Sequence, residues 1–218
     1  MRQICVIGLG QFGTHIARRL VDMGCEVQVI DLSEPRVAAV KDDVQRALIV
    51  DARSLDALQS VLSESIEEVV VSLGESVEAS ILCTLHLHQL GVKSIRAKAI
   101  NDDHATILRA VGATDVFFPE RETAERMARR IAHPTLLDFF PFAEDYRIAE
   151  VVAPAVLVGR KIAESGLRSD YGLLALALRD GKTEEYRFMP EADTVIAPGD
   201  VLIVLGREVN LARLSALD

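Results

Sequence analysis

Cysteine is scarce in this chain: of 218 residues only Cys5, Cys25 and Cys83 carry a thiol, far apart and without a C-x-x-C spacing. That excludes a disulfide framework and a zinc knuckle, and it predicts buried apolar roles for all three. Long apolar runs are missing too, since no stretch reaches the length needed to span a bilayer. Met1-Arg2-Gln3 leads straight into a strand pattern rather than a signal peptide, so the expectation is a cytoplasmic protein with no direct membrane insertion. Basic blocks are also absent. The formal charge is −9, and the nearest candidates, Arg18-Arg19 and Arg126 to Arg130, sit on helical patterns among acids. Nucleic acid is therefore not an expected partner. Neither an internal repeat nor a low-complexity tract appears, and the half of the residues that are apolar suffice for a packed core.

What is present is a stretch near the start, Ile4-Cys5-Val6-Ile7-Gly8-Leu9-Gly10-Gln11-Phe12-Gly13, running on from Thr14 to Met23. A short apolar strand enters a glycine cluster and leaves as a helix, which points bare N–H groups at whatever lies above the turn. Gly8 permits the turn, Gly10 lets a pyrophosphate approach the main chain, and Gly13 lets the helix pack close to its strand. A glycine-rich turn without a ligand has the same spacing. Asp31 decides between them: it ends the second strand, Glu26 to Ile30, about twenty residues past the cradle, where a carboxylate accepts ribose hydroxyls and repels a 2′-phosphate.

Apolar runs at 3–7, 26–30, 46–50, 68–73, 94–99 and 115–118 alternate with helical patterns near 12–23, 34–43, 54–63, 77–90 and 103–111. Ser33 and Ser54 are placed to cap helices, Pro35 stands in a first turn, and Gly24, Gly91 and Gly112 follow helix ends. Strand–helix alternation without hairpins predicts an α/β fold, a six-stranded, doubly wound parallel Rossmann sheet with its switch point at the first strand.

A helical stretch follows from Arg121 to Leu137, ended or kinked by Pro134. Asp138-Phe139-Phe140-Pro141-Phe142 then reads as a turn-like segment, either an interface to a second subunit or a cover for the C-terminal lobe. The expected division is 1–137 for the Rossmann domain with its crossover helix, 138–147 for a linker, and 148–218 for a small α+β lobe. In that lobe, strands are expected at Ile148 to Val152, Leu173 to Leu178, Glu184 to Met189 and Val201 to Leu205. Gly159 to Glu164 reads as a short helix, Asp180-Gly181 as a hairpin turn, and Arg207 to Leu217 as the closing helix.

A dehydrogenase needs a second half that offers an acid or base to the reacting carbon. The C-terminal lobe has no His and no Cys, and its lysines are Lys161 and Lys182. His86 and His88 point in different directions on one helix, and Cys83 with His86 is only a fragment of a metal site. His15 differs from the other histidines in lying on the helix that begins at the cradle. No catalytic residue is nominated.

Several motifs together resemble one family. They are the Val6 to Gly13 cradle, Val29-Ile30-Asp31, the Ile81 to Leu90 helix, Arg96-Ala97-Lys98-Ala99, Val111-Gly112-Ala113-Thr114 and Phe118-Pro119-Glu120-Arg121-Glu122. In the tail, Val158-Gly159-Arg160-Lys161, Tyr171-Gly172 and Gly199-Asp200 join them. In this order, and over essentially the full length, they resemble the RCK (KTN) domain, and more closely the cytosolic regulatory subunits of bacterial Trk and Ktr potassium uptake systems. The resemblance implies a non-enzymatic gating protein at the inner face of the membrane. It would dimerise, assemble into an octameric ring beneath a potassium transporter or channel, and bind an adenine nucleotide, ADP, ATP or NAD(H). The alternative is a small NAD-dependent oxidoreductase acting as a dimer.

The nucleotide-binding set so expected is Gly8, Gly10, Gln11, Phe12, Gly13, Asp31, Leu32, Asp51, Ala52, Gly74, Lys98 and Glu120. By the resemblance, Asp51 accepts from the adenine amino group or else caps a helix. Lys98 meets phosphate or pairs with an acid, and Glu120 either lies near the terminal phosphate across the dimer seam, in some relatives together with a cation, or forms a structural salt bridge. Relatives that distinguish ATP from ADP commonly carry Arg where this chain has Gln11, which favours ADP, AMP or NAD(H); Arg18 is a substitute cation or simply an exposed helix residue. The Ser165 to Tyr171 loop with Arg168 and Pro190 resembles a cyclic di-AMP region, but apolar Leu174 argues against that ligand.

Overall fold

In a computed structural model the described residues are 1–74, 76–132 and 136–217; the side chains of residues 129, 130 and 136–141 lie outside the description. The chain divides into two compact units, Met1–Arg121 and Glu122–Asp218.

In the first unit, strands β1 (Gln3–Ile7), β2 (Glu26–Asp31), β3 (Arg46–Ile49), β4 (Glu68–Val71), β5 (Ile95–Lys98) and β6 (Asp115–Phe117) form one sheet in the order β3-β2-β1-β4-β5-β6. All pairings are parallel, for example Ile4 with Val27 and with Glu68. Helices α1 (Gln11–Asp22), α2 (Glu34–Ala38), α3 (Leu55–Val61), α4 (Val77–Gln89) and α5 (Asp102–Ala110) make the crossovers. The order reverses at β1, which is the expected doubly wound sheet with its switch point above the first strand.

Both faces of this sheet are buried, and β1 shows why its sequence is a continuous apolar run. Cys5 and Ile7 enter one core with Leu58, Val69, Val71, Cys83, Leu87 and Leu108. Ile4 and Val6 enter the other with Ala17, Val27, Val29, Val37 and Val40. A parallel sheet covered twice needs apolar residues at every position rather than at alternate ones. Cys5 and Cys83 are fully buried, and burial pushes the Cys5 thiol up to about 12 and the Cys83 thiol up as well. Cys25 is only partly covered.

Caps mostly follow the sequence. Ser54, Ser76 and Asn101 accept the N–H of Ala57, Ala79 and His104 at 3.3, 3.2 and 2.8 Å. Ser33 does not: it occupies the N-cap of α2 without a side-chain cap bond, and its own N–H is given to Asp31. Helix α2 is also shorter than the expected 34–43, ending at Ala38.

Helix α6 (Pro119–Ala132) crosses the boundary between the units. Its expected continuation to Leu137 differs from the structure, where Leu136–Ala143 is strand β7, paired antiparallel with β8 (Tyr146–Val152). The segment read as a turn-like linker is thus a strand. Pro141 falls close to a register irregularity between Pro141 and Ala143, which is where a sheet accommodates a missing N–H. The kink assigned to Pro134 lies outside the described residues, and of the three phenylalanines only Phe142 has a described side chain, 63% exposed.

The second unit is completed by β9 (Leu174–Arg179), β10 (Tyr186–Phe188), β11 (Val201–Arg207) and α7 (Glu208–Ser215). Its sheet has the order β10-β9-β11-β8-β7 and is antiparallel throughout. The hairpin at Asp180-Gly181 joins β9 to β10 as expected. In place of one helix at Gly159 to Glu164 there are two single 3-10 turns, Ala155–Leu157 and Ile162–Glu164. Leu157, Leu178, Leu202, Val204, Leu211 and Leu214 form the core of this lobe.

Candidate nucleotide site

The cradle between β1 and α1 is built by exclusion of side chains. Gly8 has φ +95°, and a Cβ there would stand 2.6 Å from the Ser72 carbonyl oxygen. A Cβ on Gly13 would stand 1.8 Å from the Gly8 carbonyl oxygen. Only glycine at both places lets α1 start against the strand end. At the start of α1, N-cap Gly10 supplies no side-chain hydrogen bond and the first turn holds no acid. The unsatisfied N–H groups and the positive end of a twelve-residue helix therefore face the space above the cradle.

Asp31 is wired into this turn. Its side chain is 7% exposed; Oδ2 accepts the Leu9 N–H at 2.6 Å and Oδ1 accepts the Ser33 N–H at 2.8 Å. Arg36 Nη1 stands 3.9 Å from Oδ2. A carboxylate has about four acceptor directions, so two backbone bonds leave it room for a ribose hydroxyl. The Gly8 N–H, by contrast, is already given to the Ile30 carbonyl at 2.8 Å.

Two cavities flank the cradle and share Gly10 and Ser72. One, of about 300 Å³, lies over the ends of β1, β2 and β3 and is lined by Gly8, Asp31, Leu32, Asp51, Ala52 and Arg53 among others. The second, of about 350 Å³, lies toward β5 and β6 and is lined by Gln11, Phe12, Gly74, Lys98, Ile100 and Glu120. Their volumes suit a nucleoside on one side and the far end of a nucleotide on the other. Of the twelve residues expected from sequence, Gly13 alone lines neither cavity; its work is behind the cradle, against Gly8.

In the second cavity Lys98, largely buried, pairs with the exposed Glu120 carboxylate. Partial burial opposes ionisation of Glu120, but the Lys98 hydrogen bond, a backbone hydrogen bond and the Lys98 charge outweigh it and hold the carboxyl below its ordinary range. The Phe12 ring packs on Phe117 with centroids 5.2 Å apart, fixing the wall on that side. Gln11 is exposed at the first position of α1. Arg18 is no substitute for a cradle cation, because it is committed to Asp43 at 2.8 Å and to the Ala39 carbonyl at 3.0 Å. His15 is exposed and lines neither cavity.

In the first cavity Asp51 is held by its neighbour. Arg53 Nη2 meets Oδ2 at 2.7 Å, Nε meets Oδ1 and Oδ2 at 3.0 and 3.2 Å, and the Arg53 N–H meets Oδ1 at 2.9 Å. The Arg53 hydrogen bonds hold the Asp51 carboxyl below its ordinary range. Sequence reasoning missed Arg36, Arg53, Ser72 and Ser76, all of which line this cavity. Position offered a signal for Ser72, which directly follows the end of β4, and for Arg53, four residues past the end of β3, because a doubly wound sheet gathers its ligand contacts beyond its strand ends.

A family model described as the TrkA-N domain matches residues 4–119, and one described as the TrkA-C domain matches residues 146–217. The Ktr system potassium uptake protein C of Bacillus subtilis (strain 168) is 35% identical over 212 residues, covering 97% of this chain and 95% of that one. The chain belongs to the TrkA-N/TrkA-C family. The Ktr system potassium uptake protein A of Vibrio alginolyticus is 30% identical, with 97% and 96% of the two chains covered. Among solved structures, the GsuK RCK domain matches with TM-score 0.55 and 21% identity, covering 100% of this chain and 47% of that one. The GsuK channel bound to NAD matches with TM-score 0.57 and 21% identity, covering 100% and 38%. Those two likenesses show the shared fold, and this chain spans less than half of either solved chain. The TrkA-N match contains the cradle and every residue of both cavities except Glu120, which follows its last position.

Among the described residues no helix is long and apolar enough to cross a membrane, and no group of three His, Cys, Asp or Glu side chains is arranged to hold a metal ion.

Proposed function

We propose that this chain is a nucleotide-sensing regulatory subunit of a Trk- or Ktr-type potassium transport system and that it performs no catalysis of its own. The observation that carries the reading is the pair of cavities meeting at Gly10, in a chain that matches the Ktr proteins over nearly their whole length. The adenosine of ADP, ATP or NAD(H) occupies the cavity at Asp31, Leu32, Asp51 and Ala52, its phosphates lie over Gly8, Gly10 and Gln11, and its far end reaches Phe12, Gly74, Lys98 and Glu120. The subunit works from the cytoplasm at the inner face of the membrane, as homodimers assembled into an octameric ring beneath the membrane-embedded partner. Any cation at Glu120 draws its remaining ligands from the nucleotide or from a second subunit. Gating requires that the ligand bind two ring shapes with different affinity, since equal binding shifts nothing.

Calorimetry of the full chain with ATP, ADP, AMP, NAD⁺ and NADH, alongside Asp31→Ala, tests this. Binding of at least one nucleotide that is lost in Asp31→Ala is expected. No binding of any, or turnover of NADH with a carbonyl substrate by a dimer, would overturn it.

A further inference from the structure

The cavity over β1, β2 and β3 fixes where each part of a nucleoside goes. The cradle stands over β1, the buried acid Asp31 ends β2, and β3 is the next strand outward and the edge of the sheet. A nucleoside with its ribose at Asp31 therefore lays its base against the residues after β3, Val50 to Arg53. The one carboxylate there is Asp51, and a purine's 6-amino group is the donor it would accept.

Asp51 is already supplied. Arg53 places its own N–H and Nε on Oδ1, and Nη2 with a longer Nε contact on Oδ2. These bonds take up nearly all of the carboxylate's acceptor directions, and they come from a residue two positions away whose planar fork matches the carboxylate. No rearrangement elsewhere in the fold is needed to keep the pair closed. Both side chains also line the cavity, so the base meets a neutralised pair with guanidinium donors rather than a free carboxylate.

We propose that Arg53 is the base-specificity residue of this site: by holding both oxygens of Asp51, it withdraws the acceptor that would favour a 6-aminopurine. The proposal rests on the nucleotide-sensing reading and sharpens it. The site binds adenine and 6-oxopurine nucleotides with little preference, and its selection of ligand is made elsewhere. Removing Arg53 frees Asp51 and converts the site into one that prefers adenine.

ADP and inosine diphosphate share ribose and phosphates and differ in the base at the purine 6-position, so their dissociation constants, measured by calorimetry on the full chain, isolate this effect. In the unaltered protein the ratio is expected within about threefold, and in Arg53→Ala it should move about tenfold further toward ADP, the scale of one hydrogen bond to a charged group. Arg53→Gln, which keeps length and loses the fork, should shift the ratio the same way. Asp51→Asn added to Arg53→Ala should abolish the gain. Arg53 is exposed, so its replacement leaves the core intact. A tenfold preference for ADP in the unaltered protein, or an unchanged ratio in both Arg53 variants, would overturn the inference while leaving the sensor reading in place. Failure of both nucleotides, and of ATP and NAD⁺, to bind any of the proteins would overturn the sensor reading and this inference with it.

Discussion

Asp31 and Leu9 are joined by a 2.6 Å hydrogen bond from the Leu9 N–H to the buried carboxylate, so the acid expected to meet ribose also holds the glycine turn in shape. Its second oxygen takes the Ser33 N–H at the start of α2. Asp31→Ala is therefore expected to do two things. It should destabilise the fold by about 1–3 kcal/mol, the cost of leaving buried donors unsatisfied, and it should weaken nucleotide binding by at least about tenfold. Urea unfolding and calorimetry measure the two separately. Unchanged stability would mean that the turn holds itself without the acid.

Gly13 packs tightly against its own cradle, with a hypothetical Cβ 1.8 Å from the Gly8 carbonyl oxygen. The obstacle is backbone, which has no rotamer to move aside. Gly13→Ala is expected to cost about 3 kcal/mol or more, at the upper end of overpacking effects, because α1 must shift off β1. The check is the denaturation midpoint against Gln11→Ala, an exposed change in the same turn. A Gly13→Ala protein as stable as its parent would show that the helix start is freely adjustable.

The strands of the Rossmann unit were legible because a sheet covered on both faces writes itself as uninterrupted apolar runs, and the cradle because steric exclusion leaves glycine as the only choice at Gly8 and Gly13. Asp31 could be found from its position at the end of β2. The state of Asp51 could not: its capture by Arg53 depends on side-chain rotamers two residues apart, which no spacing rule reports. Nor could strand β7, since Leu136–Ala143 carries Pro141 and follows a helical pattern, and what makes it a strand is its pairing with Tyr146–Val152. Strands β8 to β11 of the second unit's five-stranded antiparallel sheet, by contrast, fall on the apolar runs expected from sequence, and even the three-residue edge strand β10 lies inside the run expected at Glu184 to Met189.

His104 sits at the start of α5 with 2% of its surface exposed. Its Nδ1 accepts the Ile100 N–H at 3.4 Å, and among the described residues its Nε2 has no partner. Burial lowers its pKa below the ordinary 6.5. Below 6.5 the unfolded chain therefore binds a proton that the folded chain refuses. Stability contributed by neutral His104 is complete above that value and falls as the pH drops toward the folded pKa. His104→Gln should flatten this part of the profile. Urea unfolding at about pH 5.5 and about pH 7.5 measures it, and an equal slope in parent and variant would remove His104 from the acid response.

Gln11 is the position at which ligand choice should be easiest to change. It is exposed at the first turn of α1 and lines the same cavity as Lys98 and Glu120, so a longer cationic side chain there would face the far end of a nucleotide. A neutral amide gives a phosphate a single ordinary hydrogen bond; a guanidinium gives a charge-assisted and potentially bidentate one. Gln11→Arg is expected to strengthen ATP binding relative to ADP by about tenfold, with ADP itself changing less. Glu120 competes for the new cation in the free protein, so the gain should shrink as salt rises and should grow in the Glu120→Gln background. Calorimetry with both nucleotides at low and high salt separates these effects. An ATP to ADP ratio that stays constant in Gln11→Arg would show that the terminal phosphate does not pass this residue and that the second cavity serves another part of the ligand.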